Sequence, residues 1–154
     1  MQLHGNLAVE TADSATLKSR FGEISYNPAK TLNFPNGILG LPDQKRFAVA
    51  GFPDKRMERF QVLQSLVENE VAFCILPHEL MAEKIDAEDI EEVRKVLDVQ
   101  ASDFLVVLIV SIHRTPSGSR LSVNMRAPLF VDVARKVGYQ IVLANSKYKV
   151  QHYL

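Results

Sequence analysis

The sequence has a single cysteine, no net charge and no apolar run long enough to cross a membrane. Each absence excludes something. One cysteine, Cys74, cannot build a disulfide framework within the chain, and nothing here points to an oxidising compartment. It lies inside the apolar run 71–76 with no basic neighbour in sequence, so the expectation is a buried, inert thiol. Eighteen Lys and Arg balance eighteen Asp and Glu, which removes any whole-chain pull toward nucleic acid or an anionic bilayer. The longest apolar run, Phe104 to Val110, is far too short for a spanning helix. Residues 1–15 lack a basic start and a continuous apolar stretch, so they are read as a loose extension and not as a secretion signal. A cytoplasmic protein is expected. The four histidines (His4, His78, His113, His152) fall at no metal-ligand spacing, and neither a phosphate-binding glycine loop nor a nucleophile elbow is present. No cofactor or metal is expected. Ser65, His113 and Asp132 form a catalytic trio only on paper, and His78 beside Glu79 reads as a polar turn.

What is present is a chain of 154 residues, 47% of them apolar, enough for one domain with a core. Short runs with strand character follow one another from residue 16. They are 17–21 and 23–26 around Gly22, 31–34, 47–52, 60–66, 71–76, 104–113, 120–126, 129–133 and 139–143. Pro53 and Pro77 stop two of them. The charged stretch 54–59 reads as a solvated loop. One segment changes period: Asp86 can cap a helix to about Leu97, with Ile90, Val93 and Leu97 on one face. The expected fold is mainly β, a compact antiparallel β-barrel-like single domain over residues 16–154 with one short amphipathic helix. Closing the barrel would also remove exposed strand edges.

Two segments stand out as surfaces. In Phe34-Pro35-Asn36-Gly37-Ile38-Leu39-Gly40-Leu41, the Asn-Gly pair favours a turn with positive φ, and its apolar neighbours need something to rest on. Such a loop plugs the end of a barrel or meets a partner, and the plug reading applies to Ile38 in particular. The stretch 79–92 holds Glu79, Glu83, Asp86, Glu88, Asp89, Glu91 and Glu92 against Lys84 alone. It is a solvated helix start, a negative patch for a basic partner, or both.

The order of these motifs resembles the flagellar assembly factor FliW family, from about Thr16 to the last residue. The family's Phe-Pro-x-Gly loop with a second glycine is matched by Phe34, Pro35, Gly37 and Gly40. Its Leu-Gln-Ser block, followed by Ala-Phe and Pro, is matched by Leu63, Gln64, Ser65, Ala72, Phe73 and Pro77. Asn124, Ala127 and Pro128 match a third block. Gly138, Gln140, Val142, Leu143, Asn145, Ser146 and Tyr148 match the family's end, and His152 and Leu154 fit as well. Gln151 and Tyr153 depart from the family's frequent Arg and Pro around the terminal His, and the neutral charge departs from its usual acidity.

The resemblance implies a non-enzymatic protein with two partners. One is flagellin. The other is the carbon storage regulator CsrA, a small RNA-binding repressor of flagellin translation that FliW proteins engage away from its RNA surface. Exporting flagellin would free the protein to remove CsrA, a switch by mass action. Partner contact is expected at Ile38, Leu39 and Leu41 and at Glu88, Glu91 and Glu92. Two other readings are a small-ligand or catalytic barrel built on Gln64, Ser65, Asn124 and Gln140, and a diverged relative that chaperones flagellin alone. Neutral charge and an acidic helix argue against direct nucleic-acid binding.

Overall fold

A computed structural model describes residues 14–154. Within them the alternating runs become strands β1 (Ala15–Ser19), β2 (Gly22–Tyr26), β3 (Leu32–Asn33), β4 (Arg46–Gly51), β5 (Gln61–Ser65) and β6 (Ala72–Pro77). Helix α1 (Ala87–Leu97) follows, then β7 (Phe104–Thr115), β8 (Gly118–Val123), β9 (Leu129–Asp132), β10 (Val137–Gln140) and β11 (His152–Tyr153). Of the expected N-terminal extension, residues 1–13 lie outside the described residues, and Ala15 already pairs with Tyr26.

The pairings run β7–β6–β5–β4–β3–β10–β9 and return to β7, so the sheet closes on itself as a barrel. Neighbours are antiparallel except β3 and β10, which are parallel through the single pair Asn33 and Val137. Strand β7 makes the closure possible. Its first residues pair with β9, and its last pair with β8 along the same edge as the strand leaves the barrel. That explains its unbroken apolar start. Leu105, Val107 and Ile109 point into the barrel, while Phe104, Val106, Leu108 and Val110 pack outside it, so both faces are covered.

Inside the barrel, Leu32, Phe34, Phe47, Val49, Leu63, Ile75, Leu129 and Val131 fill the space. Two caps cover the outer faces. Ile90, Val93 and Leu97 of α1 pack against the cluster that includes Leu76, Leu108 and Phe130, as their helical spacing predicts. The β1–β2 hairpin covers Ala50, Val62 and Ala72, held by the Arg20 guanidinium, whose Nε and Nη2 donate to the Ala72 carbonyl at 3.0 and 2.7 Å. The sequence reading missed β11, two residues that pair with β8. So short a strand carries no periodicity to detect.

Cys74 is buried, and burial pushes its thiol up to about 12. Thiolate is the reactive form, so a thiol reagent at mildly alkaline pH should leave the native protein unmodified and label it only after unfolding. Stoichiometric labelling of native protein, read by intact mass, would contradict this packing.

Candidate functional site

The glycine loop is built from its backbone. The Phe34 N–H donates to the Lys45 carbonyl at 2.7 Å, Gly37 N–H to Phe34 at 2.9 Å, and Ile38 and Leu41 exchange bonds of 3.2 and 2.7 Å. Gly37 sits at φ +67°, and a Cβ there would lie 2.5 Å from the Leu41 carbonyl oxygen, so the turn requires glycine. Phe34 is fully buried in the barrel, and Ile38 is 3% exposed and packs beside it. Ile38 is therefore a plug, and its expected place on a partner-facing surface is corrected: the barrel interior takes its side chain. Leu39 (57% exposed) and Leu41 (37%) carry the outward apolar surface.

The matched sequence blocks meet around this loop. Gln140 Oε1 accepts the Leu39 N–H at 2.8 Å, and its Nε2 donates to the Ala127 carbonyl at 3.0 Å. Asn124 Oδ1 accepts the Arg126 and Ala127 N–H groups at 3.1 and 2.9 Å, turning the chain toward Pro128, whose carbonyl accepts the Ile141 N–H. Ser65 Oγ donates to Gln44 Oε1 at 2.5 Å and accepts the Val67 and Glu68 N–H groups. Gln44 Nε2 donates to Glu68 at 2.7 Å, so the turn after β5 is tied to the loop. Gln64 Nε2 closes the same turn by donating to the Ser65 and Asn69 carbonyls. Sequence reasoning missed Gln44, whose only signal is a position just past the loop. It also missed Val67, an exposed apolar residue on the tied turn.

The acidic stretch divides in two. Asp86 opens α1, but its carboxylate makes no capping bond, against expectation. It is drawn instead to Lys147 Nζ at 2.5 Å. The contact holds the Lys147 ammonium above its usual range, chiefly through the hydrogen bond it donates to Asp86. The backbone N–H of Asp86 donates to the Tyr148 hydroxyl at 2.9 Å, and that hydroxyl donates to Asp89 Oδ2 at 2.5 Å. Asn145 Nδ2 also donates to Asp89 Oδ2, at 3.3 Å. The block Asn145 to Tyr148 is thus a clamp on the start of the helix. Burial, then the bond to Asp89, raises the Tyr148 phenol above its ordinary value.

Glu91 pairs with Arg94, whose hydrogen bonds pull the carboxyl below the usual range, and Arg94 Nη1 also donates to the Val99 carbonyl at 2.7 Å. Glu88 and Glu92 are exposed and form the outward part of the negative face. The loop and the helix adjoin through one short segment. Gln140 anchors Leu39, and the next four residues, Ile141 to Ala144, face Asp89, Glu92, Val93 and Val96 of α1 across a groove.

The paper triad is not assembled. Ser65 is bonded to Gln44, His113 Nε2 lies 2.8 Å from Ser122 Oγ, and Asp132 pairs with Arg135 at 3.1 Å. His78 is half-buried, and its Nε2 accepts the Ile85 N–H at 2.9 Å. Burial, and then Lys84, pushes this imidazole below its ordinary value, which favours the neutral ring that accepts the Ile85 N–H. Among the described residues, no three His, Cys, Asp or Glu side chains converge as a metal site.

The family model described as FliW protein matches residues 15–154. This chain belongs to the FliW family. It is 32% identical over 136 residues to the flagellar assembly factor FliW of Clostridium botulinum (strain Alaska E43 / Type E3), covering 86% of this chain and 92% of that protein. It is 27% identical over 136 residues to flagellar assembly factor FliW 2 of Desulfotalea psychrophila, covering 88% and 87%. A crystal structure of the flagellar assembly factor FliW superposes with a TM-score of 0.69 at 21% identity, covering 90% of this chain and 96% of that one. At that identity the superposition shows the FliW fold alone. No helix among the described residues is long and apolar enough to cross a membrane.

Proposed function

We propose that this FliW protein is a cytoplasmic, non-enzymatic flagellar assembly factor that binds flagellin and, when flagellin is scarce, binds CsrA and relieves translational repression. Family membership supplies the role. The observation that carries it for this chain is the use of its polar interior. Gln64, Ser65, Asn124 and Gln140, the groups a catalytic or ligand-binding barrel would need, each bond backbone groups and, for Ser65, the Gln44 side chain as well, around a filled barrel. Of their buried side-chain polar atoms, Gln64 Oε1 alone has no hydrogen-bond partner among the described residues. Leu39 and Leu41 on a rigid turn and Glu88 and Glu92 on a clamped helix face outward. Two partners that exclude each other on one protein make a switch by mass action, without any chemistry.

The test is calorimetric titration with flagellin and with CsrA of the same organism, then each in competition with the other. Wild type should bind both at micromolar affinity or tighter, with flagellin displacing CsrA. Leu39→Asp with Leu41→Asp should weaken at least one partner about tenfold, a loss of about 1.4 kcal/mol. Glu88→Lys with Glu91→Lys and Glu92→Lys should do the same, with a steep salt dependence. Affinities within twofold of wild type for both partners in both variants would sink the site assignment. Binding to flagellin alone would reduce the protein to a chaperone.

A further inference from the structure

The groove beside α1 has features that the acidic face alone does not explain. Its floor is Val93, Ile141 and Leu143, and its lips are Val96, 80% exposed, and Val142, 51% exposed. Asp89 and Glu92 line it as well. Its volume, about 180 Å³, is below the range of roughly 300–1,000 Å³ that holds a metabolite. It suits one or two aliphatic side chains of a larger molecule.

The backbone adds direction. The Ile141 and Leu143 N–H groups donate to Pro128 and Arg126, so this segment continues the antiparallel ladder of β10. Successive N–H groups of an extended chain point to opposite sides. The Val142 N–H group therefore points away from that ladder, and among the described residues neither it nor the Ala144 N–H, at the bend where the segment ends, has an acceptor. The result is a free strand edge beside an apolar groove with a negative wall.

We propose that Ile141–Ala144 and α1 form a docking groove for an extended segment of a partner protein that carries apolar anchors flanked by Lys or Arg. The segment adds main-chain bonds at Val142 and Ala144, places an aliphatic side chain between Val96 and Val142, and sets its basic flank against Asp89 and Glu92. This rests on the reading of the chain as a protein-binding module, and it gives that module a chemistry for its ligand.

The test uses a probe independent of flagellin and CsrA. Isotope-labelled full-length protein is titrated with a short peptide alternating Val and Lys, and separately with its Val and Glu counterpart. Amide shifts and hydrogen exchange are followed. The Val/Lys peptide should shift the amides of Val93, Val96 and Ile141–Ala144 and slow exchange at Val142 and Ala144. Val142→Asp and Glu92→Lys, both at exposed positions, should each weaken it at least tenfold while leaving the rest of the spectrum in place. An equal response to the Val/Glu peptide, shifts confined to other surfaces, no response, or indifference to both substitutions would overturn the proposal. Flagellin and CsrA are then read in the same spectra. If they bind elsewhere while the Val/Lys peptide occupies the groove, the groove stands and its assignment to those partners falls. If the peptide misses the groove while they bind, the groove falls and the functional reading stands.

Discussion

Gly138→Ala should destabilise the protein by about 3 kcal/mol, the upper end of what overpacking a core costs. A Cβ at Gly138 would stand 2.5 Å from Phe34 Cζ, 2.6 Å from Cε2 and 2.9 Å from Cε1. The need is for close approach alone, since Gly138 is not among the glycines with positive φ. Phe34 has no slack to give. It is fully buried, packs edge-on against Phe47 at 5.3 Å between centroids, and closes the barrel beneath the glycine loop. Phe34→Leu alone should cost stability by leaving a gap. In the Gly138→Ala background it should cost less, because it vacates the space the new methyl needs. The two substitutions should therefore be non-additive by more than about 1 kcal/mol. Urea unfolding of the four proteins measures the cycle. Additive effects, or a Gly138→Ala protein within about 0.5 kcal/mol of wild type, would show that the ring does not lie over the glycine. The effect also has a functional side. Phe34 opens the loop that holds Leu39 outward, so a displaced ring should weaken partner binding more than it alters the helix.

This pair shows what a sequence discloses and what it hides. Strand positions were readable from alternation where one face is covered and the other is not, as in β1, and from short apolar runs where both are covered, as in β4, and α1 was readable because Ile90, Val93 and Leu97 repeat at helical spacing. Closure of the barrel was readable only as a way to remove edges. The device that achieves it, one long strand shared by β9 and β8 along a single edge, depends on register, and register between distant segments leaves no local trace. The same limit applied to the site. Phe34 and Gly138 were both picked out as motif residues, but their contact across 104 positions was not visible. Ile38 and Leu39 are adjacent apolar residues with opposite fates, decided by which way a two-residue bridge with Leu41 turns them. Asp86 was legible as a helix start but not as the partner of Lys147, since a carboxylate choosing between its own helix and a distant ammonium is decided by tertiary placement.

Tyr148 should prove the most sensitive position outside the barrel. Its ring is buried with Met81, Ile85 and Leu143 at the edge of the core, and its hydroxyl serves both Asp86 and Asp89. Tyr148→Ala should cost about 3–5 kcal/mol by removing the ring. Tyr148→Phe keeps the ring and should cost about 1–3 kcal/mol, the range for leaving partly buried hydrogen-bonding groups without their partner. Besides the Asp86–Lys147 pair and the Asn145 bond to Asp89, little else holds the start of the helix, because α1 contains no fully buried residue and no side chain caps it. Losing the hydroxyl should therefore loosen the first turn of α1 selectively, seen as faster amide exchange at Glu88 to Ile90 with the barrel amides unchanged. Binding should follow: a partner that uses the acidic face loses affinity in Tyr148→Phe, while one that uses only Leu39 and Leu41 does not. A pH series isolates the hydroxyl. The folded protein holds the Tyr148 proton above the ordinary phenol value, so above pH about 10 the unfolded chain releases it first and stability falls. Tyr148→Phe removes that part of the alkaline loss. Unchanged exchange across α1 together with an unchanged alkaline limb would show that Lys147, Asn145 and the apolar face of the helix suffice to hold it, and that the tyrosine only fills space.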